Sequence, residues 1–311
     1  MAKKVLIAGA SGLIGSRLTE LLLQKGIVVS HLGRRTRSGK VPSHVWNIEQ
    51  GMIDPQALEN VDAIINLAGA GVADERWTTR RKKEILDSRI QSTALLYREL
   101  KKSNHRVNTF IAASAIGYYG LETGEEWVNE NNRPGADFLA QVVLRWEEEA
   151  EKISSLGIRV VKLRIGIVLS EKGGALKSMA APVKMGLGSA LGDGKQYLTW
   201  IHLDDLCAMF IKAVEDQRMS GPYNAVGVQP ITNLALTRAI AAVLKKPLWL
   251  PPLPGFMLKI LLGEMANMVI YGAKVSPEKI QGMEFEFQYG EINTALKNLL
   301  GNLKIRLDQP N

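Results

Sequence analysis

The segment Gly9-Ala10-Ser11-Gly12-Leu13-Ile14-Gly15 follows the apolar run Val5-Leu6-Ile7-Ala8 and opens a stretch of helical periodicity reaching about Lys25. Each glycine has a separate use at this spacing. Gly9 permits a tight turn, Gly12 lets backbone approach a pyrophosphate with no Cβ in the way, and Gly15 lets the helix lie close on the strand. The unpaired N–H groups of such a helix start bind phosphate oxygens, which places the backbone of Ser11, Gly12, Leu13 and Ile14 at a dinucleotide's pyrophosphate. About twenty residues further on, an acid would hold the ribose 2′-hydroxyl of NAD. No acid occurs between Glu20 and Glu49; the second apolar run ends instead in Gly33-Arg34-Arg35. Two guanidinium groups there suit a 2′-phosphate, so NADP(H) is favoured over NAD(H). Arg37 and Lys40 follow and read as a solvated basic loop.

Other residues carry weaker chemistry. Asn66-Leu67-Ala68-Gly69 ends the fourth apolar run, and the small Ala68 and Gly69 let backbone come close to a ribose. Leu67, Ala68 and Gly69 are therefore candidate cofactor contacts. His202 with Asp204 and Asp205 lacks further histidine or cysteine ligands nearby, so no metal is expected; the two acids suit a helix start. Trp200 and His202 are expected to line a substrate cleft. Arg80-Arg81-Lys82-Lys83 reads as a solvated helix face. The glycines from Gly186 to Gly194 follow no strand and read as a mobile cover loop. The lone Cys207, set in Leu206-Cys207-Ala208-Met209-Phe210, reads as a buried helix thiol.

The elements that must position these groups alternate. After Val5–Ala8 and its helix come an apolar run at 27–32, a short one at 44–46, another at 62–67, a long polar helix from about Thr78 to Lys101, and a run at 109–114. A helix around 138–153 and a run at 159–164 complete the series. Strands this apolar, alternating with amphipathic helices, imply an α/β fold with a doubly wound parallel sheet, a Rossmann fold of strand order 3-2-1-4-5-6. After about Ser170 the glycine-rich stretch and the proline cluster from Pro247 to Pro254 indicate a smaller, mainly helical C-terminal cap. The expected division is a dinucleotide-binding domain at 1–170 and 199–230 and a substrate or cap domain at 171–198 and 231–311.

These residues resemble the short-chain dehydrogenase/reductase superfamily, extended type. Asn66-Leu67-Ala68-Gly69, Arg76-Trp77, Ser88-Arg89, Ser114-Ala115-Ile116-Gly117-Tyr118-Tyr119-Gly120, Trp146-Glu147, Leu163-Arg164-Ile165-Gly166-Ile167-Val168-Leu169, Gly173-Gly174-Ala175 and Trp200-Ile201-His202-Leu203-Asp204-Asp205 are similar to its atypical, sugar-nucleotide epimerase-like (NAD-dependent epimerase/dehydratase) branch. The resemblance implies a bound NADP(H) and a serine that orients substrate, which Ser114 matches. It further implies a tyrosine acid/base with a lysine four residues later, since a phenol with a pKa near 10 needs such a neighbour at neutral pH. That pair is missing: Asp137-Phe138-Leu139-Ala140-Gln141-Val142 stands in its place, and Tyr97 with Lys101 precedes Ser114 on a lysine-rich helix, where such spacing arises by chance. Tyr119 is the first substitute and Tyr118 the second. By the same resemblance the strand end from Arg164 to Leu169 meets the cofactor, with Arg164 as a cofactor contact and backbone groups of Ile167 and Val168 at the nicotinamide carboxamide.

Composition limits the rest. The chain has 311 residues, 46% hydrophobic and 23% charged, with 39 Lys and Arg against 31 Asp and Glu, a formal charge of +8. An anionic small molecule is the expected partner; the cations are spread along the chain, so nucleic acid is not. With the first strand starting near Lys3 and no long uncharged apolar run, neither a leader nor a membrane partner is expected. A cytoplasmic setting, and a monomer or homodimer, complete the expectation. The function indicated is an NADP(H)-binding oxidoreductase or epimerase-like enzyme for a small carbonyl or hydroxyl compound, with a nucleotide sugar as one candidate. The alternative is a catalytically silent NADPH sensor.

Overall fold

A computed structural model describes residues 3–36, 39–121 and 123–301. Arg37 and the end of the expected cap segment, 302–311, lie outside the described residues. β1 (Lys4–Ala8), whose Val5, Leu6, Ile7 and Ala8 are wholly buried, pairs in parallel with both β2 (Val28–Gly33) and β5 (Ala63–Asn66). A strand covered on both faces must be apolar at every position, which is why its sequence does not alternate. β2 pairs in parallel with β3 (Ser43–Asn47), and β5 with β6 (Thr109–Ala115). With β8 (Arg159–Ile165) beyond β6, these six strands stand in the expected order. β12 (Gly221–Ala225) extends the sheet past β8, and the short β4 (Met52–Ile53) closes the other edge antiparallel to β3.

Helices return the chain between the strands, because parallel neighbours require a crossover. α1 (Leu13–Gln24) follows β1; α2 (Thr79–Lys102), N-capped by Thr78, joins β5 to β6; α3 (Phe138–Glu151), N-capped by Asp137, lies between β6 and β8 and packs along α2. The apolar faces of α2 and α3 share a core with Leu6, Leu32, Ile64 and Phe110 through Leu95, Leu96, Leu100 and Ala150. The cluster at the start of α2 is only partly a solvated face. Arg80 and Lys83 are exposed, but Arg81 is buried, donating to the Gly71 carbonyl at 2.6 Å and to Glu84 at 2.8 Å, and Lys82 lies over the Phe138 ring.

The chain divides into two compact units. The first comprises the chain up to Tyr118 together with Ala136–Arg164 and Cys207–Tyr223; the second comprises Tyr119–Gly135, Ile165–Leu206 and the chain from Asn224 onward. Segments 119–135, 165–170, 199–206 and 224–230 thus fall in the second unit, where the sequence placed them in the first. The cause is local pairing. β9 (Ile167–Leu169) runs parallel to β11 (Trp200–His202), β7 (Trp127–Val128) to β14 (Lys274–Val275), and the Gly166 amide donates to the Ala225 carbonyl.

The rest of the second unit is mainly helical. α4 (Gly174–Lys184) and α10 (Ile292–Leu300) pack on α6 (Asn233–Leu244) around Leu176, Trp200, Leu236, Ile240 and Leu296. α5 (Leu203–Glu215) starts in this unit but from the buried Cys207 onward belongs to the first and leads to β12; β10 (Tyr197–Leu198) pairs with β13 (Ile231–Thr232), and the short helices α7 (Gly255–Leu262), α8 (Asn267–Ile270) and α9 (Glu278–Gln281) complete the second unit. The glycine-rich stretch expected as a mobile cover is tied down: the Leu191 amide donates to Asn233 Oδ1 at 2.8 Å, the Gly192 amide to the Leu253 carbonyl at 2.9 Å, and the Leu234 amide to the Gly194 carbonyl at 2.9 Å. Among the described helices none is long and apolar enough to cross a membrane.

Candidate functional site

The first unit places the glycine loop between the end of β1 and the start of α1. Gly9 has φ +79°, and a Cβ there would stand 2.9 Å from the Leu67 carbonyl carbon and 3.0 Å from the Ala68 amide nitrogen. A side chain at this position would push the β5 end away from β1. At Gly15 a Cβ would meet the Ala10 Cα at 2.6 Å, so α1 could not lie on the loop. Gly12 differs from both. Its φ is −75°, and its Cβ would meet nothing nearer than the Gly9 carbonyl oxygen at 3.5 Å. Nothing in the protein's own packing demands glycine there; the space that a Cβ would take lies open. α1 begins at that point with no side-chain cap and no acid in its first turn, which leaves the electropositive helix end for an anion.

Beside this loop is a cleft of about 570 Å³, lined by Ser11, His31, Gly33, Arg34, Arg35 and Ser43 among others. Arg34 and Arg35 are exposed at the end of β2. His31 Nε2 lies 3.0 Å from Thr19 Oγ1; the Thr19 hydroxyl hydrogen is donated to the Gly15 carbonyl at 2.8 Å, so the imidazole Nε2–H is the donor to Thr19. The donor set of loop amides, helix N-terminus and two guanidinium groups fits the adenylate half of a dinucleotide bearing a 2′-phosphate.

The end of β5 is shaped by Asn66, which is wholly buried. Its Nδ2 donates to Thr93 Oγ1 at 3.1 Å and its Oδ1 accepts the Ala68 amide at 3.2 Å, turning Leu67 and Ala68 toward Gly9. Gly69 lies against Arg89, whose Nη1 donates to the carbonyls of Ala70 and Ile85 at 2.9 Å and whose guanidinium faces the Trp146 ring at 5.1 Å. Burial, and then the nearby Arg81 charge, push the Arg89 pKa down to about 10. Leu67, Ala68 and Gly69 thus come together with the glycine loop, braced from behind by Asn66 and Arg89.

Ser114, at the end of β6, donates its hydroxyl hydrogen to Glu147 Oε1 at 2.6 Å. Arg164 grips the same carboxylate in a bidentate way, Nε to Oε1 at 2.8 Å and Nη2 to Oε2 at 2.9 Å, and its guanidinium lies 3.4 Å from the centroid of the Tyr118 ring. Ser114, Glu147 and Arg164 are 3, 7 and 3% exposed. Such a pair persists out of water because each charge is matched by the other and by further hydrogen bonds. The Arg164 guanidinium expected at the cofactor is therefore committed to Glu147, and the backbone N–H of Ile167, expected at the nicotinamide, donates to the Thr199 carbonyl at 2.8 Å.

Glu147 was not singled out for any role by sequence. Its signal was legible: it lies on the buried stripe of α3 with Leu139, Val143, Trp146 and Ala150, a carboxylate where the helical period calls for an apolar residue. An arginine on the buried strand β8 is the complementary anomaly.

The two adjacent tyrosines separate. Tyr118 is half-buried in the first unit under Arg164. Tyr119 belongs to the second unit, is 6% exposed, and donates its hydroxyl to Asn224 Oδ1 at 2.6 Å; Asn224 in turn donates Nδ2 to the Ser276 carbonyl at 3.0 Å. The hydroxyl hydrogen of Tyr119, the first candidate read from sequence, is thus spent on a buried amide. Tyr97 packs on the first unit's core, as the structural reading of that spacing requires.

Trp200 and His202, expected at a cleft, are each 2% exposed inside the second unit. Trp200 lies in the core with Leu169 and Leu176. His202 stacks on Tyr289 at 3.9 Å between centroids; its Nδ1 accepts the Asp204 amide at 3.0 Å, so Nε2 carries the hydrogen toward Asn298 Oδ1 at 3.3 Å. Asp205 accepts the amides of Gln288 and Tyr289 at 2.9 and 3.0 Å. These residues hold the second unit together. Apolar strand β11 is internal to that unit, and its side chains are consumed by packing.

Residues 5–227 match the NAD dependent epimerase/dehydratase family, and residues 253–299 match a domain of unknown function, DUF1731. The epimerase family protein Mb2239 of Mycobacterium bovis is 38% identical over 293 residues, which cover 94% of this chain and 96% of that protein. Human epimerase family protein SDR39U1, whose crystal structure was solved with NADPH, superposes with a TM-score of 0.87 at 29% identity, covering 96% of this chain and all of that one. A nucleoside-diphosphate sugar epimerase from Corynebacterium glutamicum superposes with a TM-score of 0.80 at 27% identity over all of this chain and 63% of that one.

Proposed function

The chain belongs to the NAD dependent epimerase/dehydratase family, and from that premise we propose that its first unit binds NADP(H) in preference to NAD(H) and serves an oxidoreductase or epimerase-like reaction on a small carbonyl or hydroxyl compound. The observation that carries the cofactor half is a cleft lined by Gly9, Ala10 and Ser11 of the glycine loop together with exposed Arg34 and Arg35, next in the chain to Gly12, a glycine without an internal need to be so. The NADPH in the human relative supports the same choice. Gly12, Leu13 and Ile14 hold the pyrophosphate, Arg34 and Arg35 the 2′-phosphate, and Leu67 to Gly69 the ribose side.

When bound, the nicotinamide supplies hydride transfer. The chain's own contribution lies at Ser114. Because that hydroxyl hydrogen is given to Glu147, Ser114 Oγ meets a substrate hydroxyl as an acceptor, and Glu147 both holds it so and takes the proton relayed through it. A proton leaving the substrate oxygen passes to Ser114 Oγ as the serine hydrogen moves onto Glu147 Oε1. Tyr118, in the same unit, is the remaining acid/base candidate. A nucleotide sugar is one substrate of suitable chemistry, and the buried, unbridged Cys207 suits a reducing, cytoplasmic setting.

A second reading is a silent NADPH sensor. It draws on the sequence, which has Glu122 and Thr123 where a lysine four residues after either tyrosine would stand, and on the hydroxyl that Tyr119 donates to Asn224. Fluorescence titration with NADPH and NADH, repeated on Arg34→Ala, tests the cofactor half: loss of a charge-assisted contact of about 1.5–3 kcal/mol weakens NADPH binding roughly ten- to hundredfold and leaves NADH binding unchanged. Equal affinity for both in the unaltered protein would sink the proposal. Turnover lost in Ser114→Ala, with NADPH binding retained, separates enzyme from sensor.

A further inference from the structure

Apart from Trp127, the large apolar side chains left exposed among the described residues of the second unit gather on two neighbouring segments. α7 buries Leu258 but turns Phe256, Ile260 and Leu261 outward at 65, 70 and 57% exposure. Trp249 is 67% exposed, and Met185 and Leu187 are 69 and 52% exposed. The segments are joined: Trp249 Nε1 donates to the Gly186 carbonyl at 3.0 Å, and Leu253, two residues before α7, donates to the Ala190 carbonyl at 2.8 Å and accepts the Gly192 amide at 2.9 Å. A short helix that shows water more large apolar side chains than it buries is made to meet something apolar.

Charge says what that partner is. Segments 171–193 and 245–264 carry Lys172, Lys177, Lys184, Lys245, Lys246 and Lys259 against Glu171, Asp193 and Glu264 at their ends, an excess of three cations. The cations are interleaved with the apolar groups: Lys184 adjoins Met185, Lys246 stands three residues before Trp249, and Lys259 lies between Leu258 and Ile260, all three lysines exposed. A second copy of this chain, docked face to face about a two-fold axis, would set these lysines against their own kind, an excess of cations that the three flanking acids do not cancel. A bilayer surface with anionic headgroups satisfies both features. Lysine stems lie along apolar surface with their ammonium groups at the headgroups, and tryptophan favours the same boundary.

We propose that this face of the second unit docks on a membrane surface containing anionic lipid, with Phe256, Ile260 and Leu261 entering the acyl boundary and the lysines at the phosphates. This departs from the expectation of no membrane partner, which rested on the want of a spanning segment. An interfacial helix needs only one apolar face, and none of the described helices spans.

The test is co-sedimentation of the full chain with vesicles of phosphatidylcholine alone and with roughly one-third phosphatidylglycerol, at low and high salt. Binding about tenfold stronger or more to the anionic vesicles, weakened by salt, is expected. Phe256→Ser and Ile260→Ser alter exposed groups, so their unfolding midpoints should match the parent while vesicle binding falls about tenfold. Lys184→Gln with Lys259→Gln should remove the preference for anionic lipid. Equal partition to both vesicle types, or binding untouched by Phe256→Ser, would overturn the proposal. So would a concentration-dependent dimer abolished by Phe256→Ser with no vesicle binding, which would give the face to a second copy.

Discussion

Ser114 gives its hydroxyl hydrogen to Glu147, a residue 33 positions along the chain, at 2.6 Å, and the same carboxylate is held at both oxygens by Arg164. The missing tyrosine and lysine pair is thus accompanied by a buried serine, carboxylate and guanidinium chain. Removing one charge strands the other: Glu147→Leu should cost about 3–5 kcal/mol in denaturant unfolding, and Glu147→Leu with Arg164→Met should recover most of it. A double variant as unstable as the single one would show that the pair does not carry the loss.

The glycines of the loop make different demands. Gly15→Ala puts a methyl group where the Ala10 Cα stands at 2.6 Å and should lower the melting temperature markedly. Gly12→Ala, with φ −75° and no close neighbour, should melt like the parent but bind NADPH at least about tenfold more weakly, since the methyl fills the ligand's space. Paired melting curves and titrations decide; full NADPH affinity in Gly12→Ala would refute the cradle.

Tyr119 is assigned to structure. Tyr119→Phe leaves Asn224 Oδ1 buried without its donor and should cost about 1–3 kcal/mol, with the pH profile of any turnover unchanged. Tyr118→Phe should show the opposite pattern, a changed pH profile with little loss of stability.

Asp54 gives the fold a dependence on acid. Its carboxyl is held below the ordinary value of 3.8, foremost by the hydrogen bond from His44 and then by the Gln56 amide. A depressed folded pKa means that the unfolded chain binds the proton first, so this contribution is complete above pH 3.8 and is lost as pH falls through the lower folded value. Asp54→Asn should therefore be less stable than the parent near neutrality, and the two unfolding curves should converge in acid. A gap that persists at low pH would assign the loss to something other than the carboxylate charge.

Local chemistry made much of this protein legible in its sequence. The sheet order follows from apolar runs separated by helices, because each parallel crossover confines where the next strand can lie. The glycine turn between β1 and α1 and the placement of Arg34 and Arg35 at the end of β2 are likewise readable, since a glycine's backbone freedom and the residue ending a strand are properties of a few consecutive positions. Tertiary structure decided the rest. Glu147 reaches Ser114 across separate elements, and a stripe on α3 cannot say which strand will face it. Tyr118 and Tyr119 differ by one residue in the chain but go to different units. Trp200 and His202 look like cleft residues until β11 is seen inside its own core, whereas the apolar face of α7 looks like core and is left in water. Periodicity states which side chains share a face; only the packed chain states whether that face is covered.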